Sequence, residues 1–324
     1  MKGRHRIVIQ NKKVKYDFEI KRNITVIRGD SATGKTTLID MIREFYENGP
    51  DSGIECRCDK ICTVLEGKNW NVILPTIHDS IVFIDEGNHF VVSKEFAKVI
   101  KETDNYYVIV TREGLEALPY SVEEIYGIRN SGKYGSLKQT YNELYSIYGA
   151  KETGQDVKPE IIITEDSNSG FQFFQEVCNK SGLECRSANG KSNIFSALVG
   201  QNEKKLLVIA DGAAFGSEMG KVMQLVDKRK NIFVYLPESF EWLVLKSGVL
   251  HEPEVEKILS DPSLYIESKE FFSWERFFTD LLIGKTADSY LKYSKKTLNM
   301  AYVQNNIVEK VLEKMENITL IKPQ

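Results

Sequence analysis

The chain has little of what marks a membrane-embedded, secreted or strongly basic protein. No apolar run in its 324 residues approaches the roughly 20 that a membrane-spanning helix needs. Cysteines number only five, an odd count that suits reduced thiols and not a disulfide framework. The opening "MKGRHRIVIQNKK" is charged and lacks the longer apolar core and cleavage site of a secretory signal, so the cytoplasm is the expected compartment. Charge of one sign is scarce too: 43 Lys and Arg meet 46 Asp and Glu, and a net charge of −3 advertises no global attraction to nucleic acid. Internal repeats and low-complexity tracts are missing. What remains, 42% hydrophobic and 27% charged, is ordinary globular composition in a chain long enough for two domains.

Against that background one stretch stands out. Gly29-Asp30-Ser31-Ala32-Thr33-Gly34-Lys35-Thr36 meets every fixed position of the phosphate-binding pattern G-x-x-x-x-G-K-[ST]. "NITVIRG" before it reads as a short strand, and "KTTLIDMIREFY" after it places Leu38, Ile39, Ile42, Phe45 and Tyr46 at helical spacing. Strand, glycine-bounded loop and helix let backbone N–H groups wrap the β- and γ-phosphates of ATP, with the helix N-terminus and Lys35 adding positive charge. Thr36 is then placed to ligate Mg²⁺, and Thr37 follows in the same turn.

"SIVFIDEGNHF" adds a buried strand, Ile81 to Ile84, running into Asp85 and Glu86. In a P-loop enzyme Asp85 would hold Mg²⁺ through water, and Glu86 would orient or deprotonate the attacking water. A third strand, "YYVIVTRE", ends in Thr111 and Arg112, where such enzymes place a group that senses the γ-phosphate; a plain strand end is the alternative. Residues 1 to 28 carry nine Lys or Arg against Asp17 and Glu19. On a hairpin, Ile7, Ile9, Val14, Tyr16, Phe18 and Ile20 would face the core, and the charges would form either a solvated face or a polyanion contact. Cys56, Cys58 and Cys62 invite a metal reading, but no fourth ligand lies nearby and the spacing is not that of a zinc ribbon; they read as buried or half-buried thiols. The tyrosine-rich tract from Leu118, with "RNSGKYGSLKQ" in it, is either a loop bringing Arg129 and Lys133 to a ligand or a connector.

Polar residues 151–159 read as a linker between a first domain, 1–150, and a second, 160–262. There, strands alternate with helices, as in a parallel sheet: "EIIIT" into Glu165-Asp166, a helix stopping at Gly182, "LECRS", a short helix, "KKLLVIA" into Asp211, a further helix, then "NIFVY". Residues 263–324 read as a C-terminal helical region in which Val303, Ile307, Val311 and Met315 recur every four residues. The expected fold class is α/β throughout.

Glu165 and Asp211 would share one carboxyl edge, where a Mg²⁺ ion could be held. Here the sequence resembles the Toprim fold, whose strands end in Glu-Gly and Asp-x-Asp; "SANGKSN" is similar to the glycine-lysine segment between those strands in the OLD (overcoming lysogenization defect) nucleases. The basic hairpin leading into "NITVIRGDSATGKTTLIDMI" resembles the ATPase start of that family, which joins an ABC-type ATPase to a Toprim domain in this order. The resemblance implies an ATP- and Mg²⁺-dependent hydrolase coupled to a domain that acts on DNA or RNA, with a role in phage defence. The pattern is broken where Asp166 stands for Gly, Ser169 for a further acid and Ala213 for the second Asp, which argues against nuclease activity; Glu218 or the segment from Glu238 to Glu241 are the candidates to replace a ligand. No L-S-G-G-Q signature is present. Two rival readings follow, a nucleotide-dependent switch or scaffold with an inactive second site, and a P-loop kinase. A second copy or another protein is the further kind of partner to consider.

Overall fold

Residues 1–29, 33–131, 139–148, 156–200 and 204–321 are described in the structure, a computed structural model. Its first strands follow from strict alternation: β1 (His5–Gln10) and β2 (Val14–Ile20) pair antiparallel, sending Ile7, Ile9, Tyr16, Phe18 and Ile20 to one face. The continuous apolar runs become strands buried on both sides: β3 (Ile24–Ile27), β6 (Ser80–Ile84) and β7 (Tyr106–Val110) have no exposed residue. With β4 (Glu55–Arg57), β5 (Ile61–Val64), β8 (Ile125–Asn130) and β9 (Thr140–Ser146) they make a mixed nine-stranded sheet of order β4-β1-β2-β9-β8-β3-β7-β6-β5. From β8 through β3, β7 and β6 to β5, consecutive strands of that row are parallel.

Helix α1 (Lys35–Asn48) buries Leu38, Ile39, Met41 and Ile42 against the hairpin's apolar face and the parallel strands. Each such side chain removed from water contributes about 1.5–3 kcal/mol. The short helices α2 (Trp70–Ile73) and α3 (Lys94–Val99) complete the alternation, with Trp70 stacked on Phe90.

The second sheet is wholly parallel, in the order β11-β10-β12-β13, from β10 (Ile161–Thr164), β11 (Glu184–Ser187), β12 (Leu206–Ile209) and β13 (Ile232–Tyr235). Its helices are α4 (Ser169–Ser181), α5 (Ile194–Val199), α6 (Gly216–Lys228), α7 (Phe240–Lys246), α8 (Pro253–Ser260), α9 (Trp274–Thr286) and α10 (Asn305–Leu312). No described helix is long and apolar enough to cross a membrane.

The chain is thus α/β, with a large mixed sheet and a smaller parallel one. Its two units are residues 1–149 with 261–272, and 150–260 with 273–324. This division differs from boundaries drawn along the sequence, because 261–272 returns to the first unit. There Ser263 O accepts from Gly3 N at 2.8 Å, Phe272 O accepts from Asn23 Nδ2 at 2.7 Å, and Glu267 receives the N-terminal ammonium. The stretch 298–304, read from sequence as part of a helix, instead holds a 3-10 turn at Met300–Val303 before α10 begins. Strands β8 and β9 form an antiparallel pair where the sequence suggested a loop or connector, and residues 132–138 between them, like 151–155 of the proposed linker, lie outside the described residues.

One buried ion pair anchors the first unit. Arg22 reaches Glu124, the two side chains 3% and 0% exposed, and Thr25 Oγ1 donates to Glu124 at 3.3 Å. Burial pushes the Glu124 carboxyl upward and Arg22 pulls it back only in part. Glu124→Ala, which leaves Arg22 buried beside a hole, is expected to cost about 3 kcal/mol in urea denaturation. Glu124→Gln keeps the shape and the Thr25 bond and should lose distinctly less.

Candidate functional sites

Parallel strands deliver whatever follows them to one edge, and in the first unit that edge gathers most of the residues expected from the sequence. Gly29 follows β3, Asp85 and Glu86 follow β6, and Thr111 and Arg112 follow β7, which lies between β3 and β6. Asp30, Ser31 and Ala32 lie outside the described residues. Lys35 opens α1, its ammonium donates to Gly29 O at 2.8 Å and Thr33 Oγ1 at 3.1 Å, and the residue is 6% exposed. Thr36 and Thr37 stay exposed at the start of the helix.

Gly34 is required twice over. Its φ of 92° lies in the left-handed region, and a Cβ there would stand 2.7 Å from the Tyr16 hydroxyl. That hydroxyl donates to Gly34 O at 2.7 Å, so a hairpin residue expected only to fill the core also props the loop. The alternation of β2 could not have shown this.

The acids differ in their surroundings. Asp85 is raised above the ordinary carboxylate range by burial, which the backbone N–H of Glu86, donating at 2.8 Å, offsets in part. Glu86 is more exposed and pairs with Arg112, Nε to Oε1 at 2.8 Å. The residue read as a water-orienting base and the residue read as a phosphate sensor are therefore in direct contact.

The second unit also brings its expected acids together. Glu165 follows β10 and Asp211 follows its neighbour β12, and Asp211 N donates to Glu165 Oε2 at 3.1 Å. Gly212 packs closely against the segment after β13, where a Cβ would sit 2.7 Å from Leu236 O. Asp166 lines the same cavity, and its carboxylate accepts from Asn168 N at 3.2 Å and Asn168 Nδ2 at 2.6 Å. Of the two proposed substitutes, Glu218 lies 3.9 Å from Lys221, whereas Glu241 joins the cluster.

What sequence reasoning missed is the cation. Lys295 Nζ stands 3.1 Å from Glu241 Oε1, 3.2 Å from Glu275 Oε1 and 3.8 Å from Asp211 Oδ2. Tyr293 OH donates to the same Glu241 oxygen at 2.6 Å and shares a hydrogen bond with Ser169 Oγ, at the position where an acid was looked for. Burial works against the charge on Lys295, yet Asp211, Glu241 and Glu275 outweigh it and hold the ammonium protonated. Asp211 is driven upward by burial and then by Glu275. A cavity opens beside these groups, lined by Phe171, Phe174 and Phe240 together with Glu165, Asp211 and Lys295.

The five cysteines are free, Cys56 and Cys58 half-buried and Cys62 buried. Among the described residues no group of three or more His, Cys, Asp or Glu is arranged to hold a metal ion. No protein-family model matches the chain, and no curated protein matches it.

Glu165 is pushed up to about 7, chiefly by burial. The side-chain carboxyl ¹³C resonance of Glu165 should therefore titrate with a midpoint near 7 and not in the ordinary carboxylate range. Since the folded value lies above the unfolded one, the associated stability is complete below the ordinary glutamate range and lost as pH rises through about 7; Glu165→Gln should flatten that slope.

Proposed function

We propose that the first unit is a P-loop ATPase domain that binds ATP and that the second is a Toprim-like domain, which acts on or recognises nucleic acid. The observation that carries the ATPase reading is the convergence of Lys35, Asp85, Glu86, Thr111 and Arg112 on one edge of parallel strands, around a glycine-bounded loop that opens a helix. Lys35, already bonded to that loop, would transfer its bonds from Gly29 O and Thr33 Oγ1 to the β- and γ-phosphate oxygens. The half-buried Asp85 and the exposed Thr36 hydroxyl suit Mg²⁺, which would neutralise charge on the same oxygens. Glu86 would orient the attacking water once Arg112 turns to the γ-phosphate, so their ion pair keeps the base occupied until nucleotide enters.

For the second unit the support is the adjacency of β10 and β12, both ending in acids, together with the resemblance described above. A second reading, a nucleotide-dependent switch or scaffold whose acidic pocket does not cut, is favoured by Lys295 among the carboxylates. Residence in the cytoplasm, and DNA, RNA or another protein as the partner, go with either.

Binding of a fluorescent ATP analogue and phosphate release test the first part. Lys35→Ala should weaken binding about tenfold or more and abolish turnover, whereas Glu86→Gln should keep binding and slow turnover by about a hundredfold. Turnover unchanged by Lys35→Ala would overturn the reading.

A further inference from the structure

We infer that Lys295 takes the place of a divalent cation in the second unit, so that its acidic pocket is neutralised by the chain's own ammonium group and binds no Mg²⁺. The inference goes beyond the ATPase reading and stands independently of it, resting on the second unit alone.

Two features carry it. The ammonium is set among carboxylates from three separate elements, at 3.1 Å from Glu241, 3.2 Å from Glu275 and 3.8 Å from Asp211. A metal ion at their centre would need those same oxygens drawn in to about 2.0–2.1 Å for Mg²⁺, at the point where Nζ stands. Two of the oxygens have further partners: Glu241 Oε1 also accepts from Tyr293, and Glu165 Oε2 is engaged by the Asp211 backbone, whereas Glu241 Oε2 is buried without a hydrogen-bond partner.

Lys295 is also held there by construction. Its carbonyl accepts from Ser169 N at 3.0 Å, the Lys296 carbonyl accepts from Gln172 Nε2 at 3.0 Å, and Gln172 Oε1 accepts from Leu298 N at 2.8 Å. Tyr293 adds a backbone bond to Thr286 Oγ1 at 3.0 Å. The segment is thereby pinned to the start of α4 and the end of α9, so the backbone from which the Lys295 side chain reaches the carboxylates is fixed.

The test is a Mn²⁺ titration of the full chain without nucleotide, followed by the electron paramagnetic resonance signal of free Mn²⁺. The parent protein and Asp211→Asn should bind Mn²⁺ alike. Lys295→Met should gain a site at least about tenfold tighter than anything in the parent, and the gain should vanish when Asp211→Asn is added. Lys295→Arg, which keeps a cation in place, should gain none. Binding in the parent that depends on Asp211 would overturn the inference, as would a folded Lys295→Met protein that gains no site. Should Lys295→Met fail to fold, the comparison of parent with Asp211→Asn still decides. Leaving nucleotide out separates either outcome from the behaviour of the phosphate loop.

Discussion

Parallel pairing forces successive strands to end on the same side, and most of what this chain places at functional positions depends on that constraint. Once β3, β7 and β6 are hydrogen-bonded in parallel, the residues after them have no choice but to share an edge, however far apart they are in sequence. The same holds for β10 and β12, which set Glu165 beside Asp211. The apolar runs do the geometric work, and the polar residue that follows each run inherits its position.

Charge gathered in this way has to be compensated. In the first unit Arg112 meets Glu86 at a solvent-accessible edge, where an ion pair is worth little and can be exchanged for another partner. In the second unit the compensation is internal: Glu241 is fully buried, and the ammonium of Lys295 is what makes its burial tolerable. Removing one member of such a cluster leaves the others uncompensated in a poorly solvated place, which is why a buried pair is easier to keep than to break.

Much of this was legible in the sequence because its signals are local. Alternation marked the β1–β2 hairpin, continuous Ile and Val marked β6, β10 and β12, and helical spacing after Gly34 marked α1. The β8–β9 pair escaped because β9 is only half-buried, with Tyr141 and Tyr145 among polar residues, and its place between β2 and β8 is a non-local decision. Residues 261–272 read as the end of the second domain and the start of the C-terminal region because their bonds to Gly3 and Asn23 span more than half the chain. Lys295 was invisible for the same reason: it lies far along the chain from Glu165 and Asp211, in no motif, and only the anchoring of its segment to Gln172 and Ser169 brings it home.

The two acidic edges therefore differ in kind although the same topology makes both. At the first, the buried carboxyl of Asp85 has its neighbour Glu86 engaged with an arginine more than half exposed, a partner that can leave. At the second, the cation comes from a segment whose backbone is tied through Tyr293, Lys296 and Leu298 to α9 and α4. An incoming Mg²⁺ would add positive charge beside an ammonium that Asp211, Glu241 and Glu275 hold protonated. Under the proposed ATPase reading, phosphate oxygens would recruit the cations at the first edge instead of competing with them. The two edges thus differ in how their charge is held, by an exposed ion pair at one and by an ammonium set among partly and fully buried carboxylates at the other.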